Sequence, residues 1–413
     1  MRRSHTSRLA LLFAGAWLVL AWPTAAAAQQ DPAPATRGER LDAERDAKAT
    51  SVTPPRRTML ERALTWYDNQ QVLARMLGGW RGFHGASGNF PAGAGTGVGL
   101  GYSAGGSRGP GLELVAATSS RGYKRAAAVA DVRRLGGAPV DVALRGELYE
   151  FPQQDFFGLG MDSDEAARAN YLLSSADIGA DVTWRPATGL AVQAGLAYLS
   201  PRTGAGTDTR MPTTEAAGFD AAATPGYGAA VDYYRASLGI DYDRRDNPRH
   251  PHAGGRYAVR VADYRDADSA GFRRADLDVQ QYVPIPDRYR TLALRATATL
   301  TDPRGGGEVP FFYQPTLGGA SMLRGFREFR YQDRNSVAVS AEYRWEAWWA
   351  LDGAVFVDAG TVAPERRALA LRDVAVSYGV GLRLHSNDAF VARIDFAFSR
   401  EGFIPLLRFD HVF

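Results

Sequence analysis

The 413-residue chain contains no cysteine, which excludes a disulfide framework and thiol chemistry. Lysine is almost absent. Lys48 and Lys124 stand alone, so nearly all positive charge is arginine, whose planar fork suits paired sites in confined spaces. Net charge is small, with 48 basic against 45 acidic residues and a formal value of +3. Arg2, Arg3 and Arg8 account for that excess within residues 1–28, which hold no acid. The remainder is neutral, and no nucleic-acid partner is expected. Long apolar runs are lacking too, apart from residues 9–22. Those fourteen residues are too short for a spanning helix, and no second run of helix length exists, which excludes a helical inner-membrane protein. The three arginines before the run, and the small residues "TAAAAQQ" after Pro23, predict a secretory signal over residues 1–28 with cleavage after Ala28. No cysteine follows to carry a lipid anchor.

Residues 29–58 are rich in proline and alanine, mixed in charge and poor in large apolar side chains, which predicts a disordered linker. Residues 59–79 place Leu60, Ala63, Leu64, Tyr67, Val72, Leu73, Met76 and Leu77 at helical spacing, predicting a short amphipathic helix or lip. From residue 80 to residue 413 the pattern becomes β throughout.

What is abundant there is alternation. In "AFVARIDFAFSR", Phe390, Ala392, Ile394, Phe396 and Phe398 fall on one face, while Val391, Arg393, Asp395 and Ser399 fall on the other, because side chains alternate along a strand. The same split recurs in "SVAVSAEYRWEAWW", where Glu342, Arg344 and Glu346 share the polar face, and in "VAVSYGVGLRLHS", where Arg383 does. A soluble sandwich also alternates, but its strands centre on about five or six residues. Here many runs reach ten residues or more, with Trp and Tyr near their ends, as in a transmembrane barrel with an apolar lipid face and a polar lumen. Sixteen runs can be counted, from 80–85 to 404–413, including 138–150, 189–200 and 228–246. Their parity puts the long connections 151–168, 201–227 and 303–334 on the outer side and short turns on the periplasmic side, as bacterial barrels require. The expected fold is all-β: a 16-stranded antiparallel transmembrane β-barrel.

One connection does not read as a loop. Residues 303–334 carry Phe311, Phe312, Tyr313, Leu317, Met322, Leu323, Phe326, Phe329 and Tyr331, too much apolar surface to stay solvated. The segment is expected to fold into the lumen, carrying Arg324 with it. A charge buried there needs a partner. In "LDGAVFVDAG", Val355 and Val357 face lipid, which turns Phe356 and Asp358 inward, and Glu342 on the preceding strand also points inward. An arginine with one or two such carboxylates suits bidentate, charge-assisted bonding.

At this point the chain resembles a known family. "LGGASMLRGF", with Leu323, Arg324, Gly325 and Phe326, is similar to the (V/I)RGF loop motif of the outer-membrane assembly-factor superfamily. That group comprises the BamA/TamA-like and two-partner-secretion barrels, also called bacterial surface antigens. Phe356, Val357 and Asp358 match its F-x-D motif, Glu342 matches an acid of the preceding strand, and "FFGLGMDS" and "DYDRRDNPRHPHAGGRY" also look like that family. The resemblance covers residues 80–413. It implies that the loop arginine pairs with the F-x-D acid, and that Phe409 and Phe413 belong to a terminal assembly signal. His411 departs from that signal's usual apolar character. The roughly fifty residues between signal and barrel are too few for the periplasmic POTRA domains the family usually carries, so the chain resembles the subgroup without them.

Other motifs are weaker. Residues 101–105 and 105–109 both fit G-x-S-x-G, but Ser103 and Ser107 lack the strand–turn–helix context of a nucleophile elbow, so no enzyme is expected. His250 and His252 flank Pro251, yet no third ligand lies nearby in sequence, and no metal or cofactor is expected. Asp162, Asp164 and Glu165 lack calcium-loop spacing and read as a solvated loop. By resemblance, the implied role is insertion of proteins into the bacterial outer membrane or translocation across it. Its implied partners are outer-membrane lipid, an unfolded client and the machinery that inserts the barrel itself; the oligomeric state stays open. A passive solute pore, a barrel enzyme such as a phospholipase and a structural surface antigen are the alternatives.

Overall fold

Strict alternation over ten or more residues lets one strand pair on both sides while showing two chemically different faces. In the computed structural model this pattern yields β1 (Phe83–Ala86), β2 (Gly97–Gly105), β3 (Pro110–Ser119), β4 (Lys124–Val132), β5 (Val140–Phe156), β6 (Ala169–Ala187), β7 (Leu190–Ala205), β8 (Tyr233–Asp243), β9 (Gly254–Arg265), β10 (Gly271–Ile285), β11 (Arg290–Arg304), β12 (Thr316–Leu317), β13 (Tyr331–Gln332), β14 (Asn335–Trp348), β15 (Leu351–Ala363), β16 (Ala375–His385), β17 (Phe390–Ser399) and β18 (Gly402–Arg408). The structure describes residues 82–91, 93–105, 109–285, 290–348, 350–369, 373–385 and 390–408. The expected signal, linker and helix, together with Phe409 and Phe413, lie outside them. All strands but β12 and β13 form one 16-stranded sheet in chain order, every neighbour antiparallel. β12 and β13 make a separate two-stranded ladder inside the β11–β14 connection.

The sheet is inverted relative to a soluble protein. Ile178 and Leu196 on one face are 65% and 67% exposed, while Glu342, Arg383 and Asp395 on the other are fully buried. Contiguous apolar surface on this scale marks contact with something other than water.

Connections at one rim are long, above all 157–168, 206–232 and 305–334, whereas at the opposite rim β6 and β7 are joined by 188–189 alone. The strands reach further at the long-loop rim than alternation alone indicated. β5 runs to Phe156 and β7 to Ala205, past the expected ends at 150 and 200, because the long connections fold over these ends and pack them. Phe156 is fully buried against Phe219 and Phe311, at ring distances of 4.8 and 5.2 Å. The Tyr123 hydroxyl donates to the Gln153 carbonyl at 2.6 Å. A register shift between Phe151 and Gln154 accommodates Pro152, which has no N–H for the ladder. β8 begins at Tyr233 rather than 228, since the residues before it belong to the folded connection.

Candidate functional site

The β11–β14 connection is built like a small domain. A 3-10 turn at Phe311–Tyr313 leads into the β12–β13 ladder, which pairs Thr316 with Gln332 and Leu317 with Tyr331. Between them the chain closes on itself: the Gly319 N–H donates to the Phe326 carbonyl and the Phe326 N–H to the Leu323 carbonyl, both at 3.0 Å. Leu323 takes a left-handed φ of 56°, uncommon for a branched side chain. Burial compensates. Leu317, Leu323, Phe326 and Tyr331 pack with Ala338, Val362 and Ala375 of the wall, fixing the turn that presents Arg324. Gly325 has no room for a side chain, since a Cβ there would lie 2.7 Å from the Phe398 carbonyl oxygen and 2.8 Å from Ser377 Cβ.

Arg324 is completely buried and every part of its head is engaged. Nε and Nη2 donate to the two oxygens of Asp358 at 2.9 and 2.8 Å, and the backbone N–H donates to the same carboxylate at 3.1 Å. Nη1 donates to Glu342 Oε2 at 2.5 Å, and Nη2 reaches Ser340 Oγ at 3.4 Å. The guanidinium lies 3.4 Å over the Phe356 ring. This is the bidentate fork that arginine forms and lysine cannot. Burial alone would lower the basicity of Arg324. Its bonds to Asp358 and the field of Glu342 outweigh burial and raise it, so the arginine stays charged.

The clamp extends into a network that alternation placed on the inner face without pairing. Arg383 on β16 donates to Glu342 at 2.8 Å and pairs with Asp395 of β17 at 2.7 Å. Arg344 bonds Glu342 at 2.8 Å. Arg393 donates to Asp395 at 2.7 Å and to the loop carbonyl of Ala320 at 3.0 Å. One loop turn is thus bound to β14, β15, β16 and β17 together.

A second buried arginine, Arg330, was not singled out in the sequence. It donates to Glu401 at 2.7 Å and to the hydroxyl and carbonyl of Ser163 at 2.8 and 2.7 Å, tying the loop to the 157–168 connection and to the β17–β18 turn. The acids of that connection act as local caps and pairs: Asp164 accepts from the Ala166 N–H at 2.9 Å and Glu165 pairs with Arg327 at 3.1 Å. Ser103 sits within β2, the next element among the described residues being β3, and Ser107 lies outside the described residues. For His250 the sequence neighbourhood misled, because the fold supplies partners from far away. Asp352 lies 3.2 Å from it and His385 lies 3.2 Å from the same carboxylate. Burial lowers the His250 pKa, against the opposing bond from Asp352.

Residues 141–402, a span that includes the loop and the acids that hold Arg324, match the Omp85 superfamily domain. The chain belongs to the Omp85 superfamily. Members are bacterial outer-membrane barrels acting as transporters and assembly factors, and the chain is not an enzyme. Its fold is shared with BamA from Haemophilus ducreyi lacking POTRA domains 1–3, at a TM-score of 0.58 and 16% identity over 79% of this chain and 69% of that one. CdiB from Acinetobacter baumannii matches at 13% identity and a TM-score of 0.45, over 76% of this chain and 55% of that one. CdiB from Escherichia coli matches at 14% and 0.47, over 81% and 61%. The chain therefore spans little more than half the length of these CdiB proteins.

The loop also carries a titratable group. Burial raises the carboxyl of Glu328 above its ordinary value of 4.5, against the field of Arg408. A folded value above the unfolded one means that this group's contribution to stability is fully present below pH 4.5 and is lost as pH rises through the raised value. Unfolding of the protein followed across pH 4 to 8 is expected to show this loss, and Glu328→Gln to flatten it and raise stability at neutral pH. An unchanged slope in the variant would refute the assignment.

Proposed function

We propose that this Omp85 sheet closes into a barrel in the bacterial outer membrane, and that the barrel inserts client proteins into that membrane or translocates them across it. The observation that carries this reading is the pair of unmatched edges. β1 has four residues and β18 seven, and among the described residues no ladder joins them. A strand edge with free N–H and C=O groups is a template for an incoming strand, which is what an unfolded outer-membrane client would offer. The neighbouring strand favours opening on the same side. Its inner face reads Gly97, Gly99, Gly101, Ser103 and Gly105, with the ring of His84 lying against Gly101 where a Cβ would stand, and glycine weakens a strand. On the other flank of the seam, β14 to β17 are held by the Arg324 network, with β17 paired to β18. Flexibility is thus confined to the seam.

The exposed apolar face supports the membrane placement. Val380 is 50% exposed, and Val380→Arg is expected to destabilise the barrel in lipid vesicles by about 2–4 kcal/mol if it lies near the bilayer midplane. No loss measured in urea titrations of vesicle-folded protein would contradict a lipid-facing position.

The activity itself is tested by the outer-membrane proteome of a strain lacking the protein, compared with strains restored by wild type or by Arg324→Ala. Loss of one or a few exported or inserted proteins, restored by wild type and not by the variant, is the expected result. An unchanged proteome would overturn the assembly reading. A passive pore is the second reading, favoured by a polar cavity of about 330 Å³ beside the loop, walled by Arg274, Thr297, Thr299 and Glu328. In that case wild-type conductance should already be large and barely change on deletion of residues 311–331.

A further inference from the structure

Histidine is scarce in this chain, six residues in all, yet three gather at the short-turn rim. His250 and His252 sit in the β8–β9 turn and His385 ends β16. The ring of His250 lies 4.4 Å from that of His252 and 4.5 Å from that of His385. Between His250 and His385 stands the Asp352 carboxylate, near the start of β15. His250 Nε2 is 3.2 Å from Asp352 Oδ2, and His385 Nε2 is 3.2 Å from Oδ1. All three residues are buried, at 5%, 6% and 9% exposure, and their donor atoms all lie within 4.8 Å of one another.

We propose that His250, Asp352 and His385 form a binding site for a borderline divalent metal of the Zn²⁺ class. Two imidazole nitrogens and a carboxylate oxygen are a donor set of that class, and three protein ligands leave one position for water. The spacing is near what a metal requires, the two nitrogens facing different oxygens of Asp352, so that the carboxylate would bind through both or turn one toward the ion. Metal–ligand bonds of about 2.0–2.1 Å place adjacent tetrahedral donors about 3.3 Å apart, close to both nitrogen–oxygen separations found here. The ligands also come from elements held independently of any ion. Asp352 is in register with Arg383 in the β15–β16 ladder, and the His385 N–H donates to the Ala350 carbonyl at 3.0 Å. The β8–β9 turn is braced by Asp246, whose carboxylate accepts from the His252 N–H at 3.0 Å and whose own N–H donates to the Ala253 carbonyl at 3.1 Å. Such preformed donors need little rearrangement to take a cation.

The site has a mechanical consequence. His250 and Asp352 are 102 residues apart, and β10, β11 and β14 separate β9 from β15 in the sheet. A metal here fastens the β8–β9 turn across the short-turn mouth, toward the wall already held from within by Arg324. The inference rests on these three side chains and holds whatever the barrel transports.

The test uses tag-free, full-length folded protein in detergent, loaded with one equivalent of Zn²⁺ and passed through gel filtration, with metal content measured by mass spectrometry. Near-stoichiometric zinc is expected in wild type and in His84→Ala, which lies outside the cluster. His385→Ala and Asp352→Asn are expected to bind at least about 100-fold more weakly, the upper end of what loss of even an outer-shell partner costs. Co²⁺ substitution should give the intense visible absorption of a four-coordinate site, removed by added Zn²⁺. Heat-modifiable migration on gels reports folding of each variant, and if His385→Ala fails to fold, the wild-type zinc content and cobalt spectrum decide alone. Wild type without retained zinc or a four-coordinate cobalt spectrum, or folded variants that bind as wild type does, would show a hydrogen-bonded His–Asp–His cluster only and overturn the proposal.

Discussion

The fork between Arg324 and Asp358 is the contact on which the rest of this structure depends. It costs a great deal to bury an arginine and three carboxylates, and the cost is met only when each charge has a partner in good geometry. That requirement makes the loop position all-or-none. Arg324 reaches Asp358, Glu342 and the Phe356 ring together only if Leu323 and Phe326 are seated in their apolar cluster and Gly325 lies flat against β16 and β17. Displacing the loop would strand Asp358 without its cation, whereas Glu342 would keep Arg344 and Arg383, and Asp395 would keep Arg383 and Arg393. The network therefore defines one loop position more than it adds net stability.

The same contact divides the sheet. From β14 to β17 the inner face is cross-linked by guanidinium–carboxylate pairs, and Arg330 carries that order outward to Ser163 and Glu401. On β2 the inner face carries only glycine and serine, and the edge strand β1 is four residues long. The cross-linked strands and the glycine-lined strand thus lie toward the two ends of one antiparallel sheet.

Much of this was legible in the chain because a period of two is hard to counterfeit over ten residues. The sixteen strands followed from alternation, and alternation also turned Asp358 and Glu342 to the same face as a folded-in Arg324, since their strands come directly after the loop. Strand ends were less legible: Phe156 and Ala205 extend their strands because distant connections pack on them. Pairings that depend on inter-strand register could not be read at all. Arg383 and Asp395 were visibly inward, but which arginine met which acid depends on how β16 pairs with β17. Arg330 with Ser163 and His250 with Asp352 meet across 167 and 102 residues, and no local pattern carries that information.

The most direct measurement is a double-mutant cycle on Arg324 and Asp358, with Arg324→Ala, Asp358→Ala and the pair compared by urea unfolding of vesicle-folded protein. Each single change leaves the other charge buried and is expected to cost about 3–5 kcal/mol, while the double variant should be little worse than either, giving a coupling energy close to one single effect. Additive losses, or single losses within a few tenths of a kcal/mol of wild type, would contradict the clamp as the interaction that sets the loop.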